Sequence, residues 1–115
     1  MNSKKELGSR GELAAKNWLI NEGYDIIGQN LRFGHQEIDL IAEKDELIIF
    51  FEIKTGHYFS DDFPLKNRQL KSLKSARAKY CEIHQIPLEK TRFDLIIIIP
   101  SGQRARLERL ANISP

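Results

Sequence analysis

The stretch that decides the fold is QEIDLIAEKDELIIFFEIK, residues 36–54. It contains two apolar segments, residues 36–42 and residues 47–54, on either side of the polar residues 43–46. Isoleucine, leucine and phenylalanine dominate both segments, and a short polar break between two such runs predicts a β-hairpin. We expect the rest of the fold to be built around this hairpin.

The register of the hairpin determines where its charged side chains lie. Side chains alternate between the two faces of a strand, so Glu37 and Asp39 share one face, as do Glu52 and Lys54 on the next strand. If the polar loop closes symmetrically, Asp39 lies opposite Phe50 and diagonal to Glu52, within reach of a shared ion. A loop of odd length would put the two carboxylates on opposite faces of the sheet.

Helix and strand patterns on both sides of the hairpin complete one α/β domain. The predicted elements, in chain order, are a helix at 5–22, a strand at 24–33 bent at Gly28, the hairpin at 36–54, a loop at 55–64, a helix at 67–84, a strand at 93–99, and an edge strand or short helix at 104–110. This order, α-β-β-β-α-β with an optional final strand, predicts a mixed central sheet flanked by helices. No repeat or linker divides the chain, so residues 1–115 are expected to form a single domain.

Composition excludes several classes of protein. The chain has 115 residues, 41% hydrophobic and 30% charged, which is typical of a globular domain. No apolar run approaches the roughly 18 residues that span a bilayer, so we expect no membrane partner. The single Cys81 and the absence of an apolar N-terminal segment predict a reducing, cytoplasmic location.

The net charge of +2 conceals two opposed blocks. Residues 37–52 hold six acids against the single base Lys44, whereas residues 66–79 hold six bases and no acid. An enzyme acting on a polyanion needs both, because carboxylates hold a cation while lysine and arginine hold phosphates. The alternative is that both blocks are ordinary solvated surfaces.

Asp39 and Glu52 are the candidate metal ligands. Two carboxylates held close together cannot both stay ionised cheaply, and a divalent cation relieves their repulsion. Oxygen ligands favour Mg²⁺, with Mn²⁺ as a substitute. Lys54 would orient the attacking water or the phosphate. The competing interpretation is that Glu52 and Lys54 form a simple surface ion pair.

These residues carry a resemblance to a known family. Asp39, twelve intervening residues and then Glu52-Ile53-Lys54 resemble the PD-(D/E)xK nuclease motif of restriction-endonuclease-like folds. The strings GSRGELAAKNWLINEGYDIIGQNLRFGHQEIDLIA, FFEIKTG and TRFDLIIII resemble the YraN-like family of small predicted bacterial endonucleases, which is similar to archaeal Holliday-junction resolvases. The resemblance implies a restriction-endonuclease-like core over nearly the whole chain.

The resemblance also implies roles for individual residues. Asp39 and Glu52 would be metal ligands, Lys54 the catalytic lysine and Glu12 an additional catalytic carboxylate and metal ligand. Glu12 has an alternative role in a capping box that begins at Ser9. Two further residues, Glu37 and Gln69, are candidate accessory residues of the site. Where the family has a basic residue after its lysine-threonine pair, this chain has Gly56 and then His57, the nearest replacement for that contact.

The predicted basic helix supplies the candidate nucleic-acid contacts, which are Lys66, Arg68, Lys71 and Lys74. Asp94 is interpreted as structural, paired with a neighbouring base. The leading hypothesis is a Mg²⁺-dependent DNA endonuclease acting on branched, damaged or non-specific DNA. The alternatives are a nucleic-acid-binding module without turnover and a protein-interaction subunit. With no recognition motif, substrate choice is expected to come from DNA shape, a homodimer or a partner.

Overall fold

The computed structural model describes residues 4–56 and 65–113. Its elements, in chain order, are α1 (Lys4–Asn21), β1 (Asp25–Phe33), β2 (Gln36–Lys44), β3 (Leu47–Thr55), α2 (Asn67–His84), a short 3-10 helix (Leu88–Lys90), β4 (Thr91–Ser101) and β5 (Arg104–Leu110). The predicted α/β class and element order are confirmed, and the last element is a strand. The sequence pattern missed the 3-10 helix. Most of the predicted loop at 55–64, including His57, lies outside the described residues.

The five strands form one mixed sheet in the order β1-β2-β3-β4-β5. Strands β3 and β4 run parallel, and the other neighbours pair antiparallel. A parallel pair needs a crossover connection, and α2 lies in that connection. The carboxyl ends of β3 and β4 therefore meet at the same end of the sheet.

The two helices cover opposite faces of the sheet. On one face, Leu73 and Tyr80 of α2 belong to a buried cluster with Phe50, whose ring lies 5.6 Å from that of Tyr80. On the other face, Ala15 of α1 packs in a second cluster with Phe51. Neither helix in the described segments has an apolar stretch long enough to cross a membrane.

The turn of the β2–β3 hairpin is shorter than predicted. Lys44 pairs with Leu47, so that only Asp45 and Glu46 form the turn. Both have positive φ angles, 53° and 67°, as in the type I′ turns whose twist matches that of paired strands. The prediction of a four-residue loop was wrong because neither residue is the asparagine or glycine that normally marks this turn. The observed register differs from the predicted one by two residues. Because this number is even, the residues predicted to share a face of the hairpin still do so.

Irregularities in β1 and β2 bend this part of the sheet. The predicted bend at Gly28 is confirmed as a register shift between Ile26 and Gly28. Asn30 has a φ of 50°, which asparagine tolerates better than most residues. In β2, Ile38 and Ile41 belong to the same core cluster although strict alternation would separate them. The pleat is therefore broken next to Asp39.

Asp94 is a structural residue, as predicted. Its fully buried carboxylate accepts hydrogen bonds from Arg109 Nη2 at 2.6 Å, from Arg92 Nε at 3.0 Å and from the Asn112 backbone N–H at 2.8 Å. Asp94 pairs with Phe51, whose side chain lies on the α1 face. The network fastens the end of the chain to β4, on the face of the sheet opposite Glu52.

Candidate active site

The candidate site lies where β2 and β3 separate. Their regular pairing ends at Leu40 and Phe51, and Asp39 and Glu52 are the next residues on the two strands. The two carboxyl groups lie close enough for the charge of Asp39 to raise the pKa of Glu52. In place of a further ladder bond, the Ile53 backbone N–H donates to Asp39 Oδ2 at 2.8 Å. The predicted register, with Asp39 opposite Phe50, is wrong: Phe50 pairs with Ile41, and Asp39 lies beyond the last regular pair. The shorter turn causes this shift of two residues.

Glu52 and Lys54 project from the end of β3 on the face that α2 covers. Lys54 Nζ lies 3.6 Å from Glu52 Oε1, and the two side chains are 26% and 16% exposed. The ion pair considered as an alternative is therefore present, but it is mostly buried. Burial makes it unlike the exposed pairs that are common on protein surfaces.

Burial and neighbouring carboxylates raise the pKa values of both central carboxyl groups. Desolvation is the largest cause of the shift of Asp39, whose pKa rises from 3.8 to about 6, although the hydrogen bond from Ile53 opposes it. Desolvation and the charge of Asp39 raise the pKa of Glu52 from 4.5 to about 8, against the lowering effect of Lys54. At neutral pH the pair carries less than its full negative charge. A bound cation would restore the full negative charge of the two carboxyl groups by displacing a proton.

Glu12 reaches the same region from α1. Burial is the first cause that raises its pKa, and the charge of Glu37 is the second, while a hydrogen bond with Asn30 lowers it. Because α1 begins at Lys4, Glu12 lies inside the helix and the capping-box alternative is wrong. Gly11 lets the helix approach β3, since a Cβ there would collide with Thr55 Oγ1.

A cleft between the sheet and the first turns of α2 completes the site. Its lining residues are Glu37, Glu52, Gln69, Ser72 and Leu73. Both accessory candidates therefore lie beside Glu52. The side-chain oxygen of Gln69 accepts a hydrogen bond from the Lys66 backbone N–H at 2.8 Å, which caps the helix. Glu37 also lies 3.4 Å from Arg32 Nε.

Three neighbouring residues were missed by the sequence analysis. Asn30 bonds Glu12, Ser72 lines the cleft and Arg32 pairs with Glu37. The position of Ser72, three residues after Gln69 on a helix, is a signal that could have identified it. The role of Asn30 depends on the irregular backbone of β1, which no spacing rule reveals.

The oxygen ligands of the site suit a hard cation that needs few ligands from the protein. Within residues 4–56 and 65–113, no three His, Cys, Asp or Glu side chains are grouped closely enough to hold a metal ion. Asp39 and Glu52 are therefore a two-carboxylate site, with Glu12 and Glu37 close enough to raise the pKa of Asp39. Mg²⁺ is commonly bound by one or two carboxylates together with waters and substrate phosphates, so these residues fit it.

The basic helix borders this cleft. Its predicted contacts are all exposed, namely Lys66, Arg68, Lys71 and Lys74. Two later members of the basic block are used within the fold. The Arg77 guanidinium lies 5.0 Å from the centre of the Phe93 ring, and Lys79 Nζ donates to Gln36 Oε1 at 3.0 Å. The free basic surface therefore belongs mainly to the first half of α2.

Fold and site together define a class: a small α/β domain whose mixed sheet opens at one end around paired carboxylates and a lysine. The chain belongs to the Uncharacterised protein family UPF0102, whose sequence model matches residues 11–98, and this confirms the YraN-like resemblance. A UPF0102 protein of Prosthecochloris aestuarii is 36% identical over 108 residues, covering 90% of this chain and 84% of the relative. One from Geobacter metallireducens is 32% identical over 111 residues, covering 94% and 91%.

Two solved structures also align with this chain. A repair endonuclease from Pyrococcus abyssi aligns over 89% of this chain and 42% of its own, with a TM-score of 0.48 and 17% identity. SfsA of Pyrococcus furiosus in complex with Ca²⁺ aligns over 90% of this chain and 63% of its own, with a TM-score of 0.43 and 16% identity. This chain spans less than two thirds of either of these structures.

Proposed function

We propose that this protein is a metal-dependent endonuclease that hydrolyses phosphodiester bonds in DNA. The observation that carries the proposal is the pair of largely buried carboxyl groups, Asp39 and Glu52, which lie close together with Lys54 beside Glu52. Burying two carboxylates against each other costs stability, and a protein that only bound DNA would gain nothing from carboxylates near phosphates. A cation-assisted reaction gives this arrangement a use.

Asp39 and Glu52 would hold the cation, Mg²⁺ or Mn²⁺ as a substitute, with Glu12 as a further carboxylate at the edge of the site. The chemistry that such an ion supplies when bound is activation of water and neutralisation of charge on the phosphate. The hydrogen bond from Ile53 fixes one oxygen of Asp39, so the other is available as a ligand. The neighbouring Glu37 supports the negative potential that attracts the ion.

Lys54 is the residue of this chain best placed to act on the phosphate. Its ammonium group lies 3.6 Å from Glu52 Oε1 and is partly exposed, so it can donate to the attacking water or to a phosphate oxygen. The amide of Gln69 and the hydroxyl of Ser72 offer further polar contacts in the cleft. These groups orient the substrate without requiring any particular base.

DNA binding would come from the exposed lysine and arginine side chains of α2, which would contact the phosphate backbone and read no sequence. Selection of branched or otherwise distorted DNA would then depend on shape. A cytoplasmic location is part of the proposal, because the buried Cys81 is a free thiol.

The test is a cleavage assay with branched, single-stranded and duplex DNA in Mg²⁺ or Mn²⁺. Wild-type protein should cut at least one substrate, and Asp39→Asn and Lys54→Ala should lower the rate by about 100-fold or more. Matched controls are Asp25→Asn and Lys90→Ala, which make the same changes at exposed positions. Equal background cutting by wild type and the site variants, with DNA binding retained, would leave only the binding-module alternative.

A further inference from the structure

The hairpin between β4 and β5 carries a second basic element that the sequence analysis did not assign. This hairpin arm, residues 101–106, contains Arg104 and Arg106, and the sequence has no acid between Asp94 and Glu108. Both arginines are exposed. Arg106 makes an ion pair with Glu108 at 3.1 Å, and exposed pairs of this kind exchange readily for other partners.

The register of the sheet fixes the position of the arm relative to the catalytic lysine. Lys54 pairs with Ile97 of the parallel neighbour β4. Further along β4, Ile99 pairs with Arg106 and Ser101 pairs with Arg104. At about 3.3 Å per residue, the two arginines lie about 7 Å and 13 Å beyond the level of Lys54 along the strand direction.

Arg106 of the arm lies on the same face of the sheet as Lys54. Glu108 and Lys54 both pair with Ile97, so their side chains share a face, and Arg106 shares that face because it lies two residues from Glu108. Leu107, between them, packs instead in the cluster under α1. Arg104 has the same parity as Arg106 and is exposed at the tip of the arm, where it also lines the edge of a cleft under α1 together with Gly11 and Thr55.

The two basic elements flank the carboxylates from opposite directions. The main sheet contacts of α2 are with β2 and β1, whereas the arm extends from β4 and β5. Asp39 and Glu52 lie between them, on β2 and β3. A phosphate chain that passed over the site from the first half of α2 would meet the arm as it left.

We propose that Arg104 and Arg106 form a second phosphate-binding element, which holds the DNA backbone on the side of the cleaved phosphate opposite to α2. The proposal rests on the proposed nuclease function of the same site. At 3.4 Å of helix rise for each nucleotide of a strand, the 13 Å displacement corresponds to about four nucleotides. The protein would therefore need a continuous backbone on both sides of the scissile bond, which makes internal phosphates its substrates and excludes terminal ones.

The first test is the salt dependence of duplex binding, measured by fluorescence anisotropy in EDTA so that no DNA is cut. Each lost phosphate contact should lower the slope of log K against log salt by about 0.9, so Arg104→Ala/Arg106→Ala should lower it by about 2. The same relation predicts about fivefold weaker binding per arginine at 0.15 M salt. Lys90→Ala is the matched control, since Lys90 is an exposed base at the start of β4, the far end of the sheet.

Arg106→Lys should retain the slope, because the charge remains while the pairing with Glu108 is changed. If the double variant is poorly folded by circular dichroism, Arg104→Ala alone is measured, since its side chain is exposed at the tip. A wild-type slope in Arg104→Ala/Arg106→Ala and in Arg104→Ala, or an equally large drop in Lys90→Ala, would overturn the proposal.

The second test varies the substrate. Substrates with eight nucleotides on the α2 side and zero to eight on the other should be cut well only when about four or more are present on the arm side. Unchanged cutting as that side is shortened would refute the footprint while leaving the nuclease intact. Arginine-dependent binding without any metal-dependent cutting would refute the nuclease and keep the arm as a binding element.

Discussion

Replacement of Glu52 by glutamine should stabilise the protein while abolishing its proposed activity. Glutamine is close in shape to the protonated form of Glu52, whose pKa is raised from 4.5 to about 8 by burial and by the charge of Asp39. The folded state therefore keeps a proton that the unfolded chain releases above pH 4.5. This contribution to stability is fully present below pH 4.5 and is lost as the pH rises through 8.

The size of the effect follows from the shift. At 1.36 kcal/mol for each pKa unit, the upper limit for the penalty at high pH is about 5 kcal/mol. Glutamine leaves Lys54 without a charged partner and buries an amide, which together offset about 1–3 kcal/mol of that gain. We expect Glu52→Gln to unfold with a free energy about 2 kcal/mol higher than wild type at pH 8.5, and to match wild type near pH 4. For a domain of this size the gain corresponds to roughly 8 °C in melting temperature.

Urea unfolding in EDTA, followed by the fluorescence of Trp18, the single tryptophan, measures this difference. The matched control is Glu43→Gln, which removes the same charge from an exposed position on β2. Replacing the EDTA by Mn²⁺ should stabilise the wild type and leave Glu52→Gln unchanged, because ligand binding to the folded state alone raises its stability. The reasoning is refuted if Glu52→Gln is no more stable than Glu43→Gln at pH 8.5.

Three other substitutions test the fold around the site. Asp94→Ala should cost about 3–5 kcal/mol in urea unfolding, because it leaves partly buried arginines without their carboxylate; a loss under 1 kcal/mol would contradict this. Gly11→Ala should cost about 1–3 kcal/mol by collision with Thr55 Oγ1, and Thr55→Ala in the same chain should restore most of the loss, as a double-mutant cycle would show. Changing Asp45 and Glu46 to Asn-Gly should raise stability by about 1 kcal/mol, because the turn requires positive φ at both positions; a lower melting temperature would argue against the type I′ assignment.

Much of the fold could be predicted because local patterns agree with the tertiary structure. Leu73, Ala76 and Tyr80 recur at helical spacing, and α2 has the predicted bounds, Asn67–His84. The isoleucine run before Pro100 is buried on both faces, as its composition indicates. The turn at Asp45 was mispredicted because the twist of the paired strands imposes positive φ angles on Asp45 and Glu46, although neither is the asparagine or glycine that adopts them most easily.

Strand alternation was enough to predict which residues of the site share a face of the sheet. Alternation places Asp39 and Glu52 on the same face whenever the loop contains an even number of residues. The prediction of a shared face therefore held although the loop is two residues shorter than expected. The hydrogen bond from the Ile53 backbone N–H to Asp39, which takes the place of regular strand pairing, depends on where the two strands separate. The contact between Asn30 and Glu12 depends on a backbone irregularity that lies outside any period of two. Tertiary packing alone decides such features.

The central claim is that Asp39 and Glu52 exist to hold a divalent cation against a DNA phosphate. The most direct measurement is a Mn²⁺ titration followed by the electron paramagnetic resonance signal of the free ion, at pH 8, with wild type and Glu52→Gln. Wild-type protein should remove Mn²⁺ from solution at a saturable site and bind it more tightly as the pH rises, because the ion displaces a proton from the raised carboxyl pair. The glutamine variant should leave the signal close to that of buffer. Equal loss of free Mn²⁺ in the two proteins, or no saturable loss in wild type, would contradict the account.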